Sequence, residues 1–126
     1  MPDWRIDPAS DVPPSRQLAL RVLDGLASGE IAAGDKLPSV RGLAALALVN
    51  PNTAARAYRD LEQLGVVAGE NGRGVFVRPL GPAIAAGIRR DETRIAFEHA
   101  LDEARRCGHT LEELGAILSD RRRRSA

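Results

Sequence analysis

The stretch Asn50-Pro51-Asn52-Thr53-Ala54-Ala55-Arg56-Ala57-Tyr58-Arg59-Asp60-Leu61-Glu62-Gln63-Leu64-Gly65 decides the fold. Asn50 has the side-chain oxygen of a helix N-cap, and Pro51 at the first helical position gives up no hydrogen bond. Gly65 is a stop, because glycine adopts the left-handed conformation that ends many helices. Between these signals Ala54, Ala57, Tyr58, Leu61 and Leu64 form one apolar stripe. Asn52, Arg56, Arg59 and Gln63, spaced four, three and four apart, form a second stripe on another face. Asn and Gln can bond an adenine edge through two atoms, and Arg can do the same with guanine. The helix N-terminus adds free amides and the positive end of the dipole, which suit phosphate. Taken alone, such a stripe also fits ordinary solvated surface, so its neighbours have to choose between the readings.

Upstream, Ser39 is an N-cap for a helix running to about Ala47, with Val40, Leu43, Ala44 and Leu46 available for burial. Lys36-Leu37 form a very short strand before Pro38. Leu18, Val22 and Leu26 recur every four residues, with Leu23 beside them, and predict a helix from about Ser15 to Ser28 that stops at Gly29. Pro8, Pro13 and Pro14 keep residues 1–14 extended or turning, as an N-terminal arm. Downstream, Val66-Val67-Ala68 and Val75-Phe76-Val77 flank Asn71-Gly72, a strong hairpin signal, with Arg73 near the tip. Helix, short strand, helix, helix and hairpin, in that order, make a winged helix-turn-helix domain over residues 15–78.

Pro79 to Pro82 read as a linker, residues 79–82. Beyond it, residues 83–120 predict two helices. Ile84, Ile88, Ile95, Phe97, Ala100, Leu101 and Ala104 lie on the first, which Gly108 ends. Thr110 and Glu113 are spaced as a capping box opening the second, which carries Leu111, Leu114, Ile117 and Leu118. Apolar faces of this size cannot bury themselves within two short helices. They either pack back on the winged domain or pair with a second chain, and pairing is the preferred reading, through Ile95, Phe97, Leu101, Ala104, Leu111, Leu114 and Leu118. Residues 121–126 form a basic tail, expected to fray. The fold class is therefore mostly α with a small β-hairpin: a winged helix-turn-helix followed by a short two-helix dimerisation element.

Composition narrows the function. The 126 residues are 44% hydrophobic with four aromatics, so the core is built from Leu, Ala, Val and Ile. No apolar run approaches the ~20 residues of a membrane helix, and the N-terminus lacks a secretory pattern, so no membrane partner is expected. A single cysteine, Cys107, fits a reducing cytoplasm. Net charge is only +1, yet Lys36, Arg41, Arg56, Arg59, Arg73 and Arg78 outnumber Asp60, Glu62 and Glu70 around the opening stretch. His99, Cys107 and His109 lack ligand spacing, so neither metal nor cofactor is expected. No carboxylate pair, nucleophile–base set or phosphate loop is present, which argues against an enzyme.

Several blocks in this order resemble the winged-helix domain of the GntR family of bacterial transcription regulators. They are Ser28-Gly29-Glu30-Ile31, Gly34-Asp35-Lys36-Leu37-Pro38-Ser39-Val40-Arg41, Val49-Asn50-Pro51-Asn52-Thr53, Ala57-Tyr58-Arg59-Asp60-Leu61-Glu62 and Gly72-Arg73-Gly74-Val75-Phe76-Val77. Asn-Pro-Asn-Thr, and Ala104-Arg105-Arg106 followed by Leu111-Glu112-Glu113-Leu114, are similar to the YtrA subfamily, whose members carry a two-helix dimerisation element of this length. The resemblance implies a homodimeric repressor on a near-palindromic double-stranded operator, with half-sites about one DNA turn apart. It implies DNA contacts from Arg41, Asn50, Asn52, Thr53, Gly72 and Arg73, to which the stripe geometry adds Arg56 and Arg59; Lys36 and Ser39 beside them are further candidates. Pro51 stands where other branches place a base-reading arginine, so their operators do not transfer. Two positions depart from the family: Leu48 replaces a turn glycine, and since a leucine at positive φ is strained the turn is expected to be built differently, while Gly42 replaces a capping-box glutamate. Nothing in the residues identifies an effector. The rival reading is a winged-helix protein-interaction module without specific DNA binding.

Overall fold

The computed structural model describes residues 1–70 and 73–125. Eight elements follow in the order α1 (Pro14–Ser28), β1 (Lys36–Leu37), α2 (Val40–Ala47), α3 (Pro51–Leu64), β2 (Val67–Glu70), β3 (Gly74–Val77), α4 (Gly81–Arg106) and α5 (Leu111–Ser125). The chain divides after Arg90 into two compact units, with α4 contributing to both. No helix among the described residues is long and apolar enough to cross a membrane.

In the first unit, α1, α2 and α3 each turn an apolar stripe inward. Leu18, Leu23, Leu43, Leu61 and Val66 are fully buried there, with Ala54 and Ala57. Burying one such aliphatic side chain is worth about 1.5–3 kcal/mol. A three-stranded antiparallel sheet of order β1-β3-β2 closes the core. Lys36 pairs with Phe76 and Leu37 with Val75, while Val67 pairs with Val77 and Glu70 with Gly74. The short strand expected at Lys36-Leu37 is thus an edge strand of the wing sheet, beside β3. The Asn71-Gly72 turn lies outside the described residues. Leu46 and Leu64, read as core positions, are exposed at the margins of their stripes.

Residues 1–14 are not a free arm. Trp4 is only 5% exposed and belongs to the core, with Ile6 packed beside it. The Gln17 side chain holds the segment by accepting from the Asp7 amide at 2.8 Å and donating to the Asp7 and Val12 carbonyls. Arg21 donates to the Arg5 carbonyl at 3.0 Å. Nor does the stretch 79–82 separate two bodies. Gly81 and Ala85 are buried, and Ile84 and Ile88 pack against the core, so the first turns of α4 belong to the winged unit. Arg89 pairs with Asp24 of α1 at 2.6 Å.

The second unit holds the rest of α4 and all of α5. Gly108, at φ 102°, makes the turn between them. Thr110 Oγ1 accepts from the Glu113 amide at 3.1 Å, which is one half of the expected capping box. The other half is missing because the Glu113 carboxylate lies 3.2 Å from His109 Nδ1 instead. Arg121 to Arg124 are helical, not frayed. Asp120 pairs with Arg123 and Arg124 at i,i+3 and i,i+4, spacings that support a helix end.

Candidate nucleic-acid interface

The site is built on α3. Asn50 Oδ1 accepts from the Asn52 amide at 2.8 Å, and the Asn50 carbonyl accepts from Thr53 and Ala54 at 2.9 and 3.3 Å. Pro51 has no amide to satisfy. The first turn is therefore closed by Asn50 alone, and these amides are not the free phosphate donors that the sequence suggested. What remains for an anion is the dipole of the helix end.

At about 100° per residue, Ala54, Ala57, Tyr58 and Leu61 fall on one side of α3, and all four are buried. Asn52, Arg56, Arg59 and Gln63 cluster on the opposite side, and all four are exposed. Asp60 and Glu62 fall to either side of that cluster. Arg56 and Arg59 have no ion pair among the described residues, so their guanidinium groups are available to a ligand. The same holds for Lys36 and Arg41, both exposed.

α2 presents Arg41 in its first turn. Ser39 Oγ accepts from the Gly42 amide at 3.0 Å, so the cap forms without a carboxylate at position 42. Ser39 is thus occupied as a cap, while Thr53 is half-buried behind the exposed stripe. The turn from α2 to α3 passes through Leu48 at φ 57° and ψ 46°, in the left-handed region. The turn keeps a left-handed step, contrary to the expectation that it would be built differently, and the leucine bears the strain.

On the wing, Arg73 is exposed but occupied. Its guanidinium lies 3.3 Å from Glu70 and 5.8 Å from the centre of the Phe76 ring, a cation–π arrangement. Its amide donates to the Glu70 carbonyl at 2.9 Å, steadying the strand ends. Gly72 lies outside the described residues. Lys36 runs across Gly74, where a Cβ would stand 3.0 Å from Lys36 Cε, so the glycine makes room for that side chain.

Sequence reasoning missed the bond that ties α3 to the start of α2. The Tyr58 hydroxyl donates to the Pro38 carbonyl, next to the Ser39 cap. Burial pushes this hydroxyl well above the ordinary tyrosine range. Tyr58 was legible as a core residue, but no local signal names a partner 20 residues away.

Of the residues read as a pairing surface, Phe97, Leu101, Ala104, Leu111, Leu114 and Leu118 line one apolar groove of about 340 Å³ in the second unit. Ile95 does not line it.

Comparison with known proteins agrees with this architecture. Residues 14–77 match the model of the gntR family of bacterial regulatory proteins. The chain is 40% identical over 73 residues to the HTH-type transcriptional repressor YtrA of Bacillus subtilis, a match covering 58% of this chain and 56% of YtrA. It is 40% identical over 100 residues to the HTH-type transcriptional regulator Rv1152 of Mycobacterium tuberculosis, covering 79% and 83% of the two chains. A solved GntR family transcriptional regulator from Listeria monocytogenes superposes with a TM-score of 0.77 at 27% identity, covering 91% of this chain and 98% of that one. The structure of AraR(DBD) in complex with operator ORX1 matches with a TM-score of 0.52 at 26% identity, over 57% and 89% of the two chains. The chain belongs to the gntR family of bacterial regulatory proteins.

Proposed function

We propose that the chain is a sequence-specific transcriptional repressor that binds a near-palindromic operator as a homodimer in the cytoplasm. The observation that carries this reading is the face of α3. Four exposed side chains suited to base edges, Asn52, Arg56, Arg59 and Gln63, stand opposite a fully buried face on a helix whose entry is fixed by Asn50. Arg41 flanks them at the start of α2, where it suits phosphate, and Lys36 and Arg73 extend the basic surface along the wing. The solved AraR complex, with a related domain on operator DNA, supports the assignment. The groove of the second unit supports pairing of two chains, since a half-exposed Phe97 and Leu118 have no cover within it. In a two-fold dimer the same groove meets itself, and two α3 helices read two half-sites. Residues 1–90 are then the reading unit and the residues beyond them the pairing unit.

Selection of bound sites from a random DNA pool tests the proposal directly, and a near-palindrome is the expected product. Replacing Arg41 with Ala lowers affinity for all sequences and flattens the dependence of log K on log salt by about 0.9 per lost phosphate contact. Replacing Arg56 with Ala relaxes preference at one position of the half-site, at about 1–3 kcal/mol. A pool that yields no preferred sequence, with both variants binding as the parent does, favours the protein-interaction module instead.

A further inference from the structure

Leu48 is an anomaly within its own chain. It is the one residue other than glycine with positive φ among the described residues. The turn requires that conformation: the amides of Leu48 and Val49 both return to the Ala44 carbonyl, the latter at 3.0 Å, which closes a Schellman-type end to α2. The same left-handed step ends α1 at Gly29 and α3 at Gly65, with φ 85° and 83°. There the chain uses the residue that adopts the step without strain. At position 48 it uses a side chain whose Cβ is crowded in that region.

Burial does not compensate for the strain. Leu48 is 82% exposed, the most exposed large apolar side chain among the described residues. Within the fold, glycine would relieve the strain and remove apolar surface from water, so what leucine contributes lies outside the fold. Its position says where. Leu48 stands two residues before Asn50, at the end of α3 that carries Asn52 and the exposed stripe. Resting on the DNA-binding reading above, we infer that Leu48 makes an apolar contact with the operator, against the methyl group of a thymine at the edge of the reading site. That methyl is the apolar feature by which a base pair identifies itself in the major groove.

The test uses the full chain, its Leu48→Gly variant and the tightest operator from the random pool. Leu48→Gly is expected to melt no lower than the parent, because strain relief offsets the added freedom of the unfolded glycine. It is expected to bind operator about fourfold more weakly, the factor that burying one methyl group carries, and random DNA equally well. Operators with each thymine replaced in turn by deoxyuridine locate the contact. At one position per half-site the parent loses about fourfold on loss of the methyl, and Leu48→Gly loses nothing there. Equal operator binding by parent and variant overturns the inference, as does a uracil series with no position at which they differ. Both outcomes leave the repressor reading intact. A parent that selects no DNA sequence removes that reading and this inference together.

Discussion

The Tyr58 hydroxyl, on the buried face of α3, donates to the Pro38 carbonyl immediately ahead of the Ser39 cap of α2. One side chain thus ties the helix bearing Asn52 and Arg56 to the start of the helix bearing Arg41. Tyr58→Phe keeps the ring in the core and strands the carbonyl, so it is expected to cost about 1–2 kcal/mol in urea unfolding. The pH dependence carries a second signature. Burial raises the hydroxyl above its ordinary value of 10.0, so the native state holds its proton where the unfolded chain has lost it. The contribution is complete below about pH 10 and is lost as pH rises above that, at up to about 1.4 kcal/mol per unit. Tyr58 is the sole tyrosine, so unfolding free energies between pH 8 and 11 should show this slope in the parent and lack it in Tyr58→Phe. Equal slopes in the two proteins would refute the assignment.

Gly81 opens α4 against the backbone of the wing. A Cβ there would stand 2.6 Å from the Val66 carbonyl oxygen and 3.1 Å from Val77 Cγ1. Alanine favours a helix over glycine by about 1 kcal/mol, but the obstacle is a backbone atom that cannot swing aside. Overpacking of this kind costs about 1–3 kcal/mol, so it outweighs propensity. Gly81→Ala is expected to lower the melting temperature by about 5 °C, with operator affinity below the transition unchanged. A variant that melts higher than the parent would mean that α4 does not begin docked under Val66.

The same position explains which features were legible from residues alone. The cap at Asn50, the two stripes of α3 and the wing strands are written in local spacing, and local hydrogen bonding and burial enforce them. Leu48 marked the turn as unusual, but the expected change of turn geometry was wrong, since closing α2 onto the Ala44 carbonyl demands a left-handed residue whatever its type. The boundary at residues 79–82 was misread because Pro-Leu-Gly-Pro resembles a linker locally, whereas contact with Val66 fixes Gly81 in the core. Trp4 was misread as part of an arm for a similar reason. A lone aromatic among prolines has no period, and the Gln17 and Arg21 bonds and the core fold it inward. Arg73 was placed near the wing tip from the sequence, but its Glu70 and Phe76 partners depend on the strand pairing.

The groove of the second unit divides the expected pairing residues in a way that can be tested. Ile95 lies two residues from Phe97, about 160° around α4, and it is exposed on a different side from the groove. In the homodimer proposed above, Phe97 and Leu118 are covered by the second copy and Ile95 is not. Phe97→Asp and Leu118→Asp each place a charge in that contact, where an unpaired charge is not tolerated. Both full-length variants are expected to sediment near the 13.5 kDa of one chain, and the parent and Ile95→Asp at twice that mass. The winged unit contains neither Phe97 nor Leu118, so the monomers should keep their binding to a single half-site. On the full operator they should lose about a hundredfold or more, because the second half-site no longer binds as part of one molecule. If Ile95→Asp dissociates the chains while Phe97→Asp does not, the pairing face lies on the opposite side of α4. If all three remain dimeric, pairing does not use this unit.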